Sequence, residues 1–208
     1  MKKKIKCIIF DYGCVISKKQ DTGYIKKMSD ILNIEENKFI VEYYNYRYDY
    51  DKGLITAYQY WEKISQPSNI KITSEIITEL IQYDIKSWTD INNAMLAYIL
   101  DIKNKVNKIA VLSNMNIETL NYVKENFSWI KKFDETIFSC EVGHNKPEKE
   151  IYERCIEKIG LNPVDCVLID DSIENIQGAN NYYINTIHYK DFENFKKEMK
   201  KNFRLCSN

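Results

Sequence analysis

Four short stretches carry side chains suited to chemistry on an anion. "IIFDYGCVI" (residues 8–16) is an apolar, strand-forming run that stops at one carboxylate, Asp11, with Gly13 two residues on. "CVLID" (166–170) also ends in acid, giving the adjacent pair Asp170 and Asp171 within "LIDDSIENIQGA" (168–179). "VLSN" offers the Ser113 hydroxyl and Asn114, and "GHNKPEKEIY" offers Lys146 directly before a helix. Two adjacent carboxylates at a strand end repel each other and need a reason. A helix N-cap explains one of them. A hard divalent cation explains both, because Mg²⁺ takes carboxylate oxygens, keeps several waters and is shared with substrate phosphate. Asn175, four residues after Asp171, could hold a metal-bound water or orient a carboxylate; a plain helix-surface Asn is the alternative. Lys146 stands at a helix N-terminus, where free N–H groups already favour negative charge. Each stretch alone has a plainer reading: Asp11 as a turn cap, Ser113 as a turn residue, Lys146 as one of many solvated lysines. In combination, strand ends that supply an acid, a hydroxyl, a lysine and an acid pair form an improbable coincidence.

These residues need elements that hold them together. Past residue 100, the apolar β-rich runs "KIAVLS" (108–113), "ETIFS" (135–139), "CVLID" (166–170) and "NTIHY" (185–189) alternate with helical stretches, the signature of βα units around a parallel sheet. Open α/β folds place their chemistry at the carboxyl edge of such a sheet, which is where Asp11 should stand. In "KPEKEIYERCIEKIG", Pro147 suits the first helical turn, Ile151, Cys155 and Ile159 share one face, and Gly160 ends the helix. Between about 17 and 88 no comparable β-run occurs and apolar residues recur at helical spacing. Gly53 follows one candidate helix, and Thr56 with Gln59 forms a capping-box start for "TAYQYWEKI". The expected organisation is an α/β core over 1–16 and 89–208 with a helical insertion over 17–88. The aromatic stretch "YYNYRYDYDKG" (43–53) reads as a packed, half-exposed helix face in preference to the lining of a substrate cleft.

Composition narrows the function classes. The chain has 208 residues, with 30 Lys plus Arg against 30 Asp plus Glu and a formal net charge of zero. That balance gives no bulk attraction to nucleic acid or an anionic membrane. The six cysteines, Cys7, Cys14, Cys140, Cys155, Cys166 and Cys206, show no C-x-x-C and no ligand-like spacing with His144 or His188. They read as reduced thiols of a cytoplasmic protein, without zinc. "MKKKIKCIIF" begins like a signal peptide, but its apolar stretch ends at Asp11, too soon for an h-region or a membrane span. Oligomeric state is open.

The ordered set "IIFDYG", "VLSN", "NKPEKEIY" and "LIDDSIENIQGA" resembles the four motifs of the haloacid dehalogenase superfamily. The resemblance implies a doubly wound, Rossmann-like parallel sheet, with the helical insertion where that family carries its C1-type cap. Among members, the chain looks most like the subgroup containing an α-glucose-1-phosphate phosphatase and the phosphatase domain of soluble epoxide hydrolase. By matching motif, Asp11 would be the nucleophile that forms an aspartyl-phosphate. Asp171, with Asp170 through water, would hold Mg²⁺ beside the Asp11 carboxylate and the Gly13 backbone carbonyl. Ser113 would hydrogen-bond the transferring phosphoryl group and Lys146 would neutralise its charge. Asn114 would position substrate or loop. The implied activity is Mg²⁺-dependent hydrolysis of a small phosphorylated metabolite, a sugar phosphate first, with nucleotides behind.

One departure stands out: typical phosphatases of the superfamily carry a second Asp two residues after the nucleophile, as acid for the leaving group and base for the water. Here that position is Gly13. Two rivals follow. A metal-free 2-haloacid dehalogenase would use the same Asp but lacks a phosphatase-like acid pair, so Asp170 and Asp171 oppose it. A non-catalytic module binding a phosphorylated ligand draws support from Gly13, against retention of every other motif residue.

Overall fold

The structure, a computed structural model, describes residues 2–206. Its strands are β1 (Lys3–Ile5), β2 (Cys7–Phe10), β3 (Lys108–Ser113), β4 (Glu135–Phe138), β5 (Cys166–Asp170), β6 (Asn185–His188) and β7 (Phe203–Leu205). Its helices are α1 (Thr22–Ile31), α2 (Glu36–Asn45), α3 (Arg47–Asp51), α4 (Ala57–Ser65), α5 (Ser74–Trp88), α6 (Asn93–Ile102), α7 (Ile117–Asn126), α8 (Ser139–Val142), α9 (Lys149–Ile159), α10 (Ile173–Asn181) and α11 (Phe192–Asn202). Five strands form one parallel sheet in the order β4-β3-β2-β5-β6.

Alternation along β2 shows why the sheet is wound on both faces. Ile8 and Phe10 point into one apolar cluster with Met95 and Ile99 of α6, Leu120 of α7 and Phe195 of α11. Cys7 and Ile9 point into another with Ile151, Cys155 and Ile159 of α9 and Ala179 of α10. A strand buried on both faces reads as an unbroken apolar run, and all four residues of β2 are fully buried. The chain leaves β2 toward β3 and β4 on one side, then crosses to β5 and β6 on the other. That reversal opens a crevice at the carboxyl end of β2, and Asp11 is the next residue.

Helices α1–α5 enclose an apolar cluster of their own, built on Phe39, Tyr43, Tyr60, Trp61 and Leu80. The two connections to the sheet run side by side: Ser17 bridges Ile91 antiparallel, and Lys18 N–H donates to Asp90 O at 2.7 Å. Helix α4 begins at the Thr56–Gln59 capping box, and Gly53 takes φ +77° after α3, a conformation open to glycine at little cost.

Two local expectations are corrected, and one strand pairing is new. Ser139 and Tyr189 fall just outside β4 and β6. Helix α9 starts at Lys149, so Pro147 precedes the helix and is not in its first turn. There the backbone is held in a turn by Glu148 N–H donating to Asn145 O at 2.7 Å. Finally, β1 and β7 pair parallel, Lys3 opposite Phe203, as a separate two-stranded sheet that no local pattern announced.

Candidate active site

Each chemistry-bearing residue sits where a strand of the large sheet ends or in the loop beyond it. Asp11 follows β2 directly, and its N–H donates to Ile169 O of β5 at 2.9 Å. Ser113 ends β3, Asp170 ends β5, and Lys146 lies in the loop after α8. The structure brings Asp11, Gly13, Ser113, Asn114, Lys146 and Asp171 onto the wall of one cavity of about 220 Å³. Asp170 stands immediately behind it, fully buried.

Lys146 is the hub. Its side chain is 1% exposed, with Nζ 2.9 Å from Asp11 Oδ1 and 2.5 Å from Asp170 Oδ2. Asp11 Oδ1 also accepts Tyr12 N–H at 2.7 Å, which fixes the carboxylate's orientation. Asp170 Oδ1 accepts Ser172 N–H at 2.9 Å and Asn175 Nδ2 at 3.0 Å. Asn175 therefore orients a carboxylate, and the N-cap of α10 is Ser172, not either acid. Asn114 Nδ2 donates to Lys146 O at 2.9 Å while Lys146 N–H donates to Asn114 Oδ1 at 2.7 Å. The amide of Asn114 thus holds the lysine's backbone. Among the described residues Ser113 Oγ, in a residue 2% exposed, makes only a 3.3 Å contact with Asn114 O.

Electrostatics follow from three carboxylates facing one lysine. Carboxylate oxygens of Asp11, Asp170 and Asp171 lie within 4.8 Å of one another. Burial pushes Asp11 up to about 7; Lys146 pulls it down, and Asp170 and Asp171 add to the rise. Asp171 is also raised, by burial first and Asp170 second. Burial works against the charge on Lys146, but Asp11 and Asp170 outweigh it and hold the ammonium above its ordinary range. Excess negative charge on hard oxygen donors suits a divalent cation, so these residues fit Mg²⁺.

Four lining residues come from the helical insertion: Tyr44, Arg47, Asp51 and Trp88. The aromatic stretch therefore does reach the cavity, in part. Tyr44 on α2 and Arg47 and Asp51 on α3 follow at spacings of three and four across the junction at Tyr46, and that periodicity was a usable signal. Thr119 on α7 also lines the cavity, and nothing local marked it. Cys14, beside Gly13 with φ +59°, lines it as well, its thiol pushed up to about 12 by burial and by Asp171.

All six cysteines are free, and among the described residues no helix is long and apolar enough to cross a membrane.

Comparison with known proteins gives a consistent result. The sequence profile of the haloacid dehalogenase-like hydrolases matches residues 5–182. A haloacid dehalogenase family enzyme of Bacteroides thetaiotaomicron is 27% identical, covering 90% of this chain and 95% of its own, with a TM-score of 0.75. In its magnesium complex the same enzyme aligns at 25% identity over 95% of this chain and 99% of its own, with a TM-score of 0.73. The L-2-haloacid dehalogenase of Xanthobacter autotrophicus with covalently bound chloropropionic acid shares the fold, at 15% identity over 94% of this chain and 82% of its own, with a TM-score of 0.63. A curated relative, acyl-CoA dehydrogenase family member 10 of Mus musculus, is 32% identical over 69 residues. That match spans 33% of this chain and 6% of the relative's length.

Proposed function

Because this chain belongs to the haloacid dehalogenase-like hydrolases, we propose that it is a Mg²⁺-dependent phosphatase of a small phosphomonoester, a sugar phosphate first, acting through an aspartyl-phosphate on Asp11. The observation that carries this is the grouping of Asp11, Asp170 and Asp171 within 4.8 Å beside a lysine that is 1% exposed. The magnesium complex of the Bacteroides enzyme supports the choice of metal. Residues 1–16 and 89–208 form the catalytic core in this proposal, and 17–88 the cap that closes over it.

Asp11 attacks phosphorus, the bond from phosphorus to the leaving oxygen breaks, and that oxygen takes up a proton. Water then attacks phosphorus, releasing inorganic phosphate and restoring the Asp11 carboxylate. Splitting one displacement into two lowers each barrier. Tyr12 N–H and Lys146 hold the nucleophile's orientation, Ser113 donates to a phosphoryl oxygen, and Lys146 balances the charge of the transferring group. Asn114 acts one step back, by holding the Lys146 backbone. When bound, Mg²⁺ would be held by Asp11, Asp171 and the Gly13 carbonyl, with Asp170 through water, and would neutralise phosphoryl charge. The outer place of Asp170 is supported by its oxygens, both already engaged by Lys146, Ser172 and Asn175.

The dehalogenase alternative shares the fold but has no use for this acid cluster. A phosphate-release assay on a panel of small phosphoesters, with Mg²⁺ and with chelator, tests the proposal. Release that needs Mg²⁺ and disappears in Asp11→Asn supports it; undiminished release in excess chelator, or release of halide from 2-haloacids, refutes it.

A further inference from the structure

The cavity's cap end has a charge balance that bears on which leaving groups it admits. Arg47 is the cation that the cap contributes to the lining, and an arginine facing a phosphoester site would ordinarily invite a second anion. Here two of the three guanidinium nitrogens already face carboxylates. Nε lies 2.9 Å from Asp51 Oδ1, and Nη1 lies 2.9 Å from both oxygens of Asp84. Tyr43 Oη donates to Asp84 Oδ1 at 2.5 Å and accepts from Arg47 Nη1 at 2.7 Å. Side-chain exposure is 13% for Arg47 and Asp51 and 2% for Asp84, so salt screens the cluster poorly.

One guanidinium against two carboxylates leaves the cluster negative. Burial raises the Asp51 pKa, yet protonation there would bring the cluster only to neutrality. In neither state does the cap end attract an anion. Lys146, the cation at the other end, is held between Asp11 and Asp170. Two further features point to what is admitted. Thr119 is 1% exposed, lines the cavity, and its buried Oγ1 has no hydrogen-bond partner among the described residues; such a hydroxyl is costly unless something in the cavity pairs with it. Tyr44 and Trp88 supply aromatic walls, and about 220 Å³ is small beside the roughly 300–1,000 Å³ of sites for drug-sized ligands.

We propose that the Arg47–Asp51–Asp84 cluster and Thr119 select a small, uncharged, hydroxyl-bearing leaving group and turn away phosphoesters that carry a second anionic group. The proposal deepens the phosphatase reading and rests on it.

The test uses matched esters on the full chain with Mg²⁺. Glycerol phosphate and phosphoglycerate differ only by a carboxylate in place of a hydroxymethyl group, and a hexose monophosphate and its bisphosphate make a second pair. An aryl phosphate whose aryl group carries no charge reports the chemistry alone. In the wild type, kcat/KM should favour the member without the extra anion by at least about tenfold in each pair. At a pH where Asp51 is ionised, Asp51→Asn and Asp84→Asn each remove one negative charge and should narrow that preference several-fold. The preference is a ratio within one preparation, so the fraction folded cancels, and Asp51→Asn decides the matter if the more buried Asp84→Asn does not fold. Thr119→Val should lower glycerol phosphate hydrolysis relative to the aryl phosphate. Mg²⁺-dependent aryl phosphate hydrolysis with no preference within the pairs, or with preferences unmoved by Asp51→Asn, overturns the charge selection and leaves the phosphatase standing. An unmoved ratio in Thr119→Val overturns the hydroxyl contact. No Mg²⁺-dependent release from any ester overturns both readings.

Discussion

Placing an aspartate at Gly13 should speed the proposed reaction on those esters that need acid help most. The backbone there has φ −60° and ψ 133°, extended values that any L residue adopts. A Cβ at this position would meet only Trp88 Cζ3, at 3.7 Å, an ordinary van der Waals contact. Gly13→Ala should therefore be neutral or should stabilise by about 0.4–1 kcal/mol, through lost freedom of the unfolded chain. Gly13→Asp adds a carboxylate beside Asp11, Asp170 and Asp171. At a separation of ~6 Å and an effective dielectric of ~20, each like-charge pair costs about 2–3 kcal/mol, so the metal-free Asp variant should melt below the Ala variant. Against that cost stands a general acid worth about 10²–10⁴-fold in rate. The gain should concentrate in alkyl phosphates, whose leaving oxygen must be protonated, and nearly vanish for aryl phosphates. The assay is kcat/KM over esters of graded leaving-group pKa for wild type, Gly13→Ala and Gly13→Asp, with acid quench to trap phosphoenzyme. Wild type should show a steep dependence and accumulate phosphoenzyme; Gly13→Asp should flatten it. A flat wild-type dependence without phosphoenzyme refutes the idea that Gly13 limits the reaction. So does a folded Gly13→Asp that is no faster than Gly13→Ala on alkyl esters.

Other expectations concern the metal, the lysine's support and the cap. Asp11 is raised to about 7, above its unfolded value, so the native state keeps a proton that the unfolded chain gives up between about pH 4 and 7, and metal-free stability should fall as pH rises through that window. Mg²⁺ needs the carboxylate, so its increase in Tm should be small near pH 5, grow above about 7 and disappear in Asp171→Asn, as read by thermal melts with and without the ion. Asn114→Ala removes both bonds to the Lys146 backbone; it should destabilise by about 1–3 kcal/mol in urea melts and lower kcat more than it raises KM. Glu148 accepts from Lys52 at 2.8 Å and from Tyr48, both in the helical insertion, so Glu148→Gln should loosen that clasp by about 1 kcal/mol, seen as faster hydrogen exchange in α3.

What could be read from the sequence was local. The runs "KIAVLS" and "CVLID" declared buried strands because such strands need apolar side chains on both faces. Thr56 and Gln59 marked the start of α4 because a capping box spans only four residues. The residues that end or follow β2, β3 and β5, namely Asp11, Ser113, Asp170 and Asp171, were visible for the same reason. Their meeting was not local: it depends on the order β4-β3-β2-β5-β6, which opens the crevice at β2. Lys146 shows the limit. Its chemistry was legible as a cation ahead of a helix, whereas α9 starts three residues later and the lysine is held by Asn114, Asp11 and Asp170 from three other segments. The pairing of β1 with β7 joins residues almost a whole chain apart, and three-residue strands carry too little periodicity to announce it. Tyr44 on α2 and Arg47 and Asp51 on α3 keep a helical spacing that the sequence reveals, but such spacing does not state what the residues face. Packing of the insertion over the sheet decided that they, with Trp88 and Thr119, line the cavity, because side-chain patterns record which surface is buried and only tertiary contacts supply its partner.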